Sequence, residues 1–536
     1  MISLVRVLKG SRVAEIDEKC ISDGIDPKWL MGNAGSSISK IIISDFQAKN
    51  LKRSARGVIV CGSGNNGGDG FVAAKDLVDF GMDISVFYIH PAEKFSNDNK
   101  YYFEKLKEIK NAKLSYLDVS NNESIKNFKD KTKESNFIID AIFGTGLHSR
   151  NVYGPAKEVI EMINLMRAEN SEIIVYSIDI PSGIDSDSAE VLGAAIKADK
   201  TITFGCKKIG IASYPGADYA GEVKVADIGI PEKYYGEYEQ IFEASLQWVA
   251  AKLPTRKAWT YKHEVGRLLV IAGSLGFTGA AVMTCQAAMR AGAGIVTLVC
   301  PWELNTIYET KLTEVMTYPV EQTEDLSIHM DALDDILQLG EKFDALAIGP
   351  GLSKNPSTIC MVREILMKIK KPTVLDADGL RALYGPRDVD EDNNLDLSHV
   401  VITPHPGELA AILGESKIAL NNRLSSNLEV AKKYGLVSVL KGAATLISDS
   451  GEKTFINPTG SWALATAGTG DILTGIIGSL LSQGMSLMDS AICGVYIHGM
   501  SSDIVARETS KTSQIATDLL DGIKRTFIEI EKLKYK

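Results

Sequence analysis

Gly468-Thr469-Gly470-Asp471 runs straight into an apolar, small-residue stretch over residues 472–481. That stretch is long enough for a buried helix, which puts the glycines in the turn leading into it. Glycines there leave backbone N–H groups bare, and the helix N-terminus adds a dipole that favours an anion. A carboxylate beside a bound phosphate repels it and is a poor ligand. It is well placed to take the proton from a hydroxyl that attacks the phosphorus. Asp471 therefore reads as a base beside a phosphate cradle, with a plain helix cap as the competing reading.

A second set of candidates lies in the first half. Asn65-Asn66-Gly67-Gly68-Asp69-Gly70 follows an apolar β-branched run over residues 57–61, and residues 71–80 read as a helix before a second strand at 84–89. Asp140 and Asp179 each end a further apolar run and open a glycine turn, over residues 140–147 and 179–185. In open α/β sheets the carboxyl ends of the strands form the binding crevice, so Asn66, Asp140, Asp179 and Ser182 are expected to converge. Such oxygen ligands suit a hard cation. Residues 62–70 formally match G-x-G-x-x-G. The strand after them carries no acid at its end to hold a ribose, which argues against an ordinary dehydrogenase.

The elements that must position these residues are α/β throughout. Residues 10–56 read as helices, with a small-residue turn at 30–35. Residues 57–89 form a βαβ unit, which implies a parallel sheet. Residues 95–134 are lysine-rich and carry no recognisable chemistry, and residues 223–230 read as the last strand. Residues 231–238 lack a clear period and mark a junction, giving domains 1–238 and 239–536. Beyond it, strand-and-turn units follow at 268–274, 345–351, 373–379, 400–408 and 437–445, with a helix opening at Gly279-Ala280-Ala281. Their turns hold Asp376, Asp378, His405, Glu408 and Lys441. His405 reads as a turn residue or a substrate contact, Lys441 as a phosphate contact or a surface charge, and Asp376 and Asp378 as possible caps.

At 536 residues the chain is too long for one core. With 45% apolar and 24% charged residues its composition is that of a soluble globular protein, and a net charge of −10 without a basic run excludes a nucleic-acid footprint. Doublets such as Lys207-Lys208 read as solvated faces. Seven cysteines without a C-x-x-C pair argue for a reducing compartment and against a disulfide framework or zinc site. No apolar run spans a bilayer or resembles a secretion signal, so a cytoplasmic protein with no membrane partner is expected.

Taken in order, these strings resemble a known family. Gly64–Gly70, Asp140–Leu147 and Asp179–Asp185 are similar to the NAD(P)HX epimerase domain, a Rossmann-like three-layer fold. Gly273-Ser274, Gly349–Leu352, Asp376–Leu380, Thr403–Glu408, Lys441–Thr445 and Asn457–Asp471 are similar to the ADP/ATP-dependent NAD(P)HX dehydratase, a ribokinase-like α/β fold. The resemblance covers nearly the whole chain, in the order of the fused bifunctional repair enzymes. It implies epimerisation of hydrated NADH and NADPH (NADHX and NADPHX), followed by nucleotide-driven dehydration. Asp140 would transfer the proton, with K+ held by Asn66, Asp140 and Ser182. Asn65, Asn66, Gly67, Gly68, Asp69, Gly144, Thr145, Gly146, Leu147, His148, Ser149, Arg150 and Asp179 would bind the epimerase substrate. In the second half Asp471 would be the base, Ala280, Gly351 and His405 would face the hydrated cofactor, and Lys441, Gly442, Ala443, Ala444, Thr445 and Gly470 would hold the nucleotide. ADP is the expected co-substrate, with Mg2+, and a homo-oligomer is the expected assembly. Two departures stand out: Gly32 replaces the family's usual Glu, and Ser461-Trp462 replaces its usual Asn-Pro. A ribokinase-type small-molecule kinase with an N-terminal binding module, or a non-catalytic nucleotide-binding scaffold, are the competing functions.

Overall fold

The computed structural model describes residues 4–48, 55–147, 150–236, 240–384, 396–419 and 422–534. The chain divides into two compact units, Arg6–Glu239 and Gln240–Lys536, the second taking in the first five residues.

The strands of the first half are β1 (Val5–Leu8), β2 (Arg56–Cys61), β3 (Asp83–Tyr88), β4 (Lys113–Tyr116), β5 (Phe137–Ala141), β6 (Ile174–Ile178), β7 (Lys200–Phe204), β8 (Lys207–Lys208) and β9 (Glu222–Ala226). Seven of them form a sheet in the order β4-β3-β2-β5-β6-β7-β9, every neighbour parallel. Val7 and Leu8 of β1 pair parallel with Lys207 and Lys208 of β8. The central strands are apolar on both faces because helices cover both faces, as parallel sheets require. One face packs Ile59, Ile139 and Phe137 against Phe71, Phe46 and Ile38. The other packs Val58, Val60 and Ile138 against Phe128, Val159 and Ile160. This is a three-layer, Rossmann-like unit. The chain turns back from β4 at one edge to β5 beside β2, so a crevice opens at the carboxyl ends of β2 and β5.

Two local expectations fail, for one reason. The helix after β2 is Asn65–Phe80, so Asn65 to Gly70 lie in its first turns and not in a loop before it. Likewise the presumed turn at 30–35 lies within one continuous helix, Pro27–Ala48. The glycines serve close packing. A Cβ on Gly70 would stand 2.7 Å from Ala141 Cβ and 2.9 Å from Cys61 Sγ, and one on Gly68 would stand 2.5 Å from Met31 Sδ. Bare backbone lets the helix lie directly on the sheet and on its neighbour helix.

The second unit adds β10 (Ile241–Glu243), β11 (Arg267–Ile271), β12 (Ile295–Pro301), β13 (Met316–Val320), β14 (Ala345–Ile348), β15 (Thr373–Leu375), β16 (Val400–Ile402), β17 (Val437–Leu440), β18 (Leu446–Ser448) and β19 (Thr454–Ile456). Their order is β13-β12-β11-β14-β15-β16-β17-β18-β19-β10. Pairing is parallel except where β18 runs against β17 and β19. The helix Thr469–Ser482 is buried along almost its whole length. Its small residues allow this: a Cβ on Gly475 would come 2.8 Å from Ala287 Cβ on the helix Thr278–Arg290. Among the described residues no helix is long and apolar enough to cross a membrane, and the seven cysteines are free, six of them buried.

A Gly70→Val substitution is expected to destabilise the first unit by about 1–3 kcal/mol, since the sheet beneath cannot give way. Chemical denaturation followed by far-ultraviolet circular dichroism checks this, and an unchanged midpoint would contradict the packing argument.

Candidate active sites

In the second unit four strand ends and one helix start meet. Asp376, just after β15, is 1% exposed and is bound by the Lys441 ammonium at 2.7 Å and the Thr474 hydroxyl at 2.8 Å. Lys441, just after β17, lies 3.9 Å from Glu408 as well. Burial pulls the Lys441 ammonium down, but Asp376 and Glu408 outweigh it and hold its pKa above the ordinary value. Both residues thus depart from the surface-charge and capping readings: they form a half-buried ion pair. Gly470 sits over this pair, since a Cβ there would lie 3.5 Å from Lys441 Nζ and 3.7 Å from Asp376 Oδ2.

The helix N-cap is Gly468, in the left-handed region at φ 90°, where glycine carries no Cβ penalty. Asp471 lies inside the first turn, so it does not cap the helix. Its carboxylate takes no hydrogen bond or ion pair from any described residue. Burial first, then the Asp376 carboxylate, push its pKa up to about 7 against the pull of Lys441. A half-buried carboxylate poised near neutrality beside a cation and bare helix-start amides is the arrangement a general base needs. The Thr284 hydroxyl lies 3.1 Å from the Asp471 carbonyl and 2.9 Å from that of Ala280, which ties the helix Thr278–Arg290 to this turn.

The remaining candidates fall around this centre. Gly351, at φ 65°, abuts the start of that helix: a Cβ on it would stand 2.8 Å from Phe277 Cβ and 3.2 Å from Ala280 Cβ. Residues 441–445 form an exposed turn held by the Arg423 guanidinium, which donates to the Ala443 carbonyl at 2.7 Å. Ala444 is left-handed there at φ 53°, a strain typical of ligand-facing turns. His405 proves to be a turn residue: its Nδ1 accepts the backbone N–H groups of Gly407 and Glu408 at 3.0 and 3.2 Å, capping the helix Pro406–Leu413. Its side chain is still 57% exposed, so the ring edge is open to a ligand. Asp378 binds Arg381 at 2.9 Å and accepts the Ser353 N–H at 3.2 Å. Trp462 is 62% exposed, an apolar surface where the family's usual Pro would be small.

In the first unit Asp140 is fully buried. Its two oxygens accept Ser182 Oγ at 2.5 Å, Ser177 Oγ at 2.8 Å, and the Ser182 and Ile142 N–H groups at 2.9 and 3.2 Å. Four donors occupy every lone-pair position of a carboxylate. Burial outweighs them, and the pKa stands above the ordinary value. Ser182 Oγ has a second acceptor, the Phe143 carbonyl at 3.2 Å, so its proton can leave Asp140 without being orphaned. Asn66 lies against Gly144, and its Nδ2 is sealed from solvent without a partner. Turning that amide over would put its oxygen in the empty position; Asn66, Asp140 and Ser182 carry buried oxygens of the type a hard cation takes, and Asp140 has a lone pair to give only when Ser182 turns its hydroxyl away.

A cavity of about 140 Å³ in the same unit is lined by Asn65, Asp69, Thr145 and Asp179 among the expected residues. Asp140 does not line it. Asp17 and Lys208 do, and neither was expected. Lys208 is 1% exposed, so the solvated-face reading of its doublet is wrong. Burial, with Asp179 and Asp17 adding to it, holds the Asp69 carboxyl well above its usual range. Burial against the pull of Lys208 brings Asp17 to about 6. Asn99, in the stretch that carried no recognisable chemistry, is fully buried and ties Gly62 and Gly64 through its amide at 3.1 and 2.7 Å. Gly67 and Gly68 lie within the helix as packing residues, Gly146 and Leu147 sit on a short 3-10 turn, and Arg150 is exposed. His148 and Ser149 lie outside the described residues.

Two α/β units, one with a buried, fully hydrogen-bonded carboxylate and one with a half-buried carboxylate at a glycine-capped helix, make a two-site enzyme. Residues 268–525 match the family model for NAD(P)H-hydrate dehydratase, and residues 27–210 match that for the YjeF-related protein N-terminus. The bifunctional NAD(P)H-hydrate repair enzyme of Moorella thermoacetica is 36% identical over 531 residues, covering 98% of this chain and 97% of that one. Its counterpart in Thermofilum pendens is 32% identical over 523 residues, covering 97% and 96%. A solved ADP/ATP-dependent NAD(P)H-hydrate dehydratase from Bacillus subtilis, co-crystallised with ATP and Mg2+, is 29% identical. It covers 54% of this chain and 98% of that one, at a TM-score of 0.46. The chain belongs to the family of bifunctional NAD(P)H-hydrate repair enzymes.

The raised value of Asp471 has a sign. Between 3.8 and about 7 the folded chain binds a proton there that the unfolded chain has released, so this group stabilises the fold at low pH and stops doing so as pH rises through about 7. Catalysis runs the other way: the rate of any reaction using Asp471 as base is expected to rise with pH to a plateau above about 7. A pH–rate profile lacking that ascending limb would contradict the assignment.

Proposed function

We propose that the chain repairs hydrated NADH and NADPH, in which water has added to the nicotinamide ring. The first half of the chain, residues 1–238, interconverts the R and S epimers at the hydroxylated carbon. The second, residues 239–536, dehydrates the S form at the expense of ADP. The observation that carries this reading is the unpaired Asp471 carboxylate, raised to about 7, in the first turn after Gly468–Gly470.

In the second unit Asp471 takes the proton of the ring hydroxyl as its oxygen attacks the terminal phosphorus. The bare N–H groups of the turn through Gly470 hold the phosphate. Lys441, steadied by Asp376, offsets the charge that develops on it. The nucleotide leaves one phosphate shorter. The C–O bond then breaks with phosphate as leaving group, a ring proton departs, and the dihydropyridine is restored. Lys441 to Thr445 hold the nucleotide, and Gly351, Ala280 and His405 bound the hydrated ring. Mg2+ would ride on the nucleotide phosphates, as is usual for this ion.

In the first unit Asp140 moves the proton. It is free to do so once Ser182 turns its hydroxyl to the Phe143 carbonyl and vacates a lone pair. K+ held by Asn66, Asp140 and Ser182 would supply positive charge in a buried, oxygen-lined place. Asn65, Asp69, Thr145 and Asp179 face the substrate. The free cysteines support a cytoplasmic setting. A homo-oligomer is the proposed assembly, and light scattering checks it.

Purified protein given mixed-epimer NADHX with ADP, Mg2+ and K+ is expected to restore the absorbance of reduced nicotinamide completely. Asp471→Ala should lower dehydration by about 10²–10⁴-fold and leave epimerisation intact, and Asp140→Ala should do the reverse. Equal damage to both reactions by both substitutions would refute the two-site reading.

A further inference from the structure

The cavity of the first unit contains one cation and four carboxylates. Among the described residues Asp17, Asp69, Asp98 and Asp179 line it, and Lys208 is the one basic residue there. A fully buried lysine is costly unless its charge is met, and here all three of its N–H donors are placed. They go to Asp179 Oδ1 at 2.6 Å, the Phe204 carbonyl at 2.9 Å and Thr203 Oγ1 at 3.0 Å. Thr203 Oγ1 in turn donates to the same Asp179 oxygen at 3.1 Å. With no donor left, Lys208 has nothing to offer a substrate directly. Asp179, by contrast, is half engaged: Oδ1 takes both bonds, while Oδ2 accepts none from any described residue. Its backbone is left-handed at φ 66°, which a residue with a Cβ adopts only where its surroundings hold it there.

We propose that Lys208 is a positioning residue of this site, holding Asp179 so that its second oxygen receives a hydroxyl or amide donor of the bound substrate. This rests on the epimerase reading of the first unit. The geometry explains the pattern of charges around it. Without the ammonium, Asp179 would have no cation to hold it beside the carboxyls of Asp17 and Asp69 and would swing away. Its free oxygen would then no longer point as an acceptor into the cavity. The role is carried through another residue, so its signature is weaker substrate binding coupled to Asp179.

The test uses the full chain. Epimerisation of the R form is followed by chromatographic separation of the epimers, and dehydration of pure S form reports on the second unit. Lys208→Met and Asp179→Asn are each expected to raise the epimerase KM by at least about 10-fold, the effect of losing a charged buried hydrogen bond, with a smaller change in kcat. The double variant is expected to raise it no further than the worse single one, while the dehydration rate stays at the wild-type value. Lys208→Arg keeps the charge and is the check if Lys208→Met does not fold; its KM is expected below that of Asp179→Asn. An unchanged KM in Lys208→Met, multiplicative effects in the double variant, or a Lys208→Arg KM equal to that of Asp179→Asn would each overturn the proposal. A wild-type chain that does not interconvert the epimers would overturn the epimerase reading beneath it, and that outcome is seen before any variant is made.

Discussion

A carboxylate taken out of water must be met by donors or a cation, or it must take up a proton. That constraint shapes both sites. Asp140 is met by four hydrogen bonds, Asp179 by Lys208, and Asp376 by Lys441 and Thr474. In the second unit Asp471 is the exception, as Asp17 and Asp69 are in the first. Asp471 is half-buried, has no partner, and lies close to the already paired Asp376, so it holds its proton to about neutrality. In the second unit Asp376 has its partners, and Asp471 is left able to titrate near neutrality.

The sheets explain how so many charged groups reach two places. In a parallel sheet every strand delivers its carboxyl end to the same edge, and every following helix starts there. Asp140 and Asp179 come from β5 and β6, while Asp376, His405 and Lys441 come from the ends of β15, β16 and β17. Helix starts bring bare amides and a favourable dipole to the same edge. Close packing of glycine-bearing helices brings them near enough to matter: Gly70 seats one helix on β2 and β5, and Gly475 seats the other against its neighbour.

The two sites use this frame differently. The second unit keeps the Asp471 carboxylate free and places its hydrogen bonds on the ion pair beside it. The first unit saturates Asp140 and gives Ser182 an alternative acceptor in the Phe143 carbonyl, so a single hydroxyl rotation decides whether a lone pair is available. That donor set is buried. The second site gathers one ammonium, Lys441, among the carboxyls of Asp376, Glu408 and Asp471 at a helix start.

The amino-acid sequence by itself determined the α/β character of both halves, the residues of both sites that stand at strand ends, and the place of Asp471. Apolar runs ending in Asp or glycine are local signals, and local signals survive without a fold. It did not show that Asn65 to Gly70 are helical or that residues 30–35 do not turn. Glycine has low helix propensity, and only contact with Ala141 and Met31 makes its small size worth that cost. Nor could it separate Lys208 from a solvated doublet, lift Asp17 or Asn99 out of featureless stretches, or pair Lys441 with Asp376. Those residues are far apart in the chain, and their charge and burial are set by what folds over them. Partner choice for a buried polar group is a property of the assembled interior, and only the tertiary structure decided it.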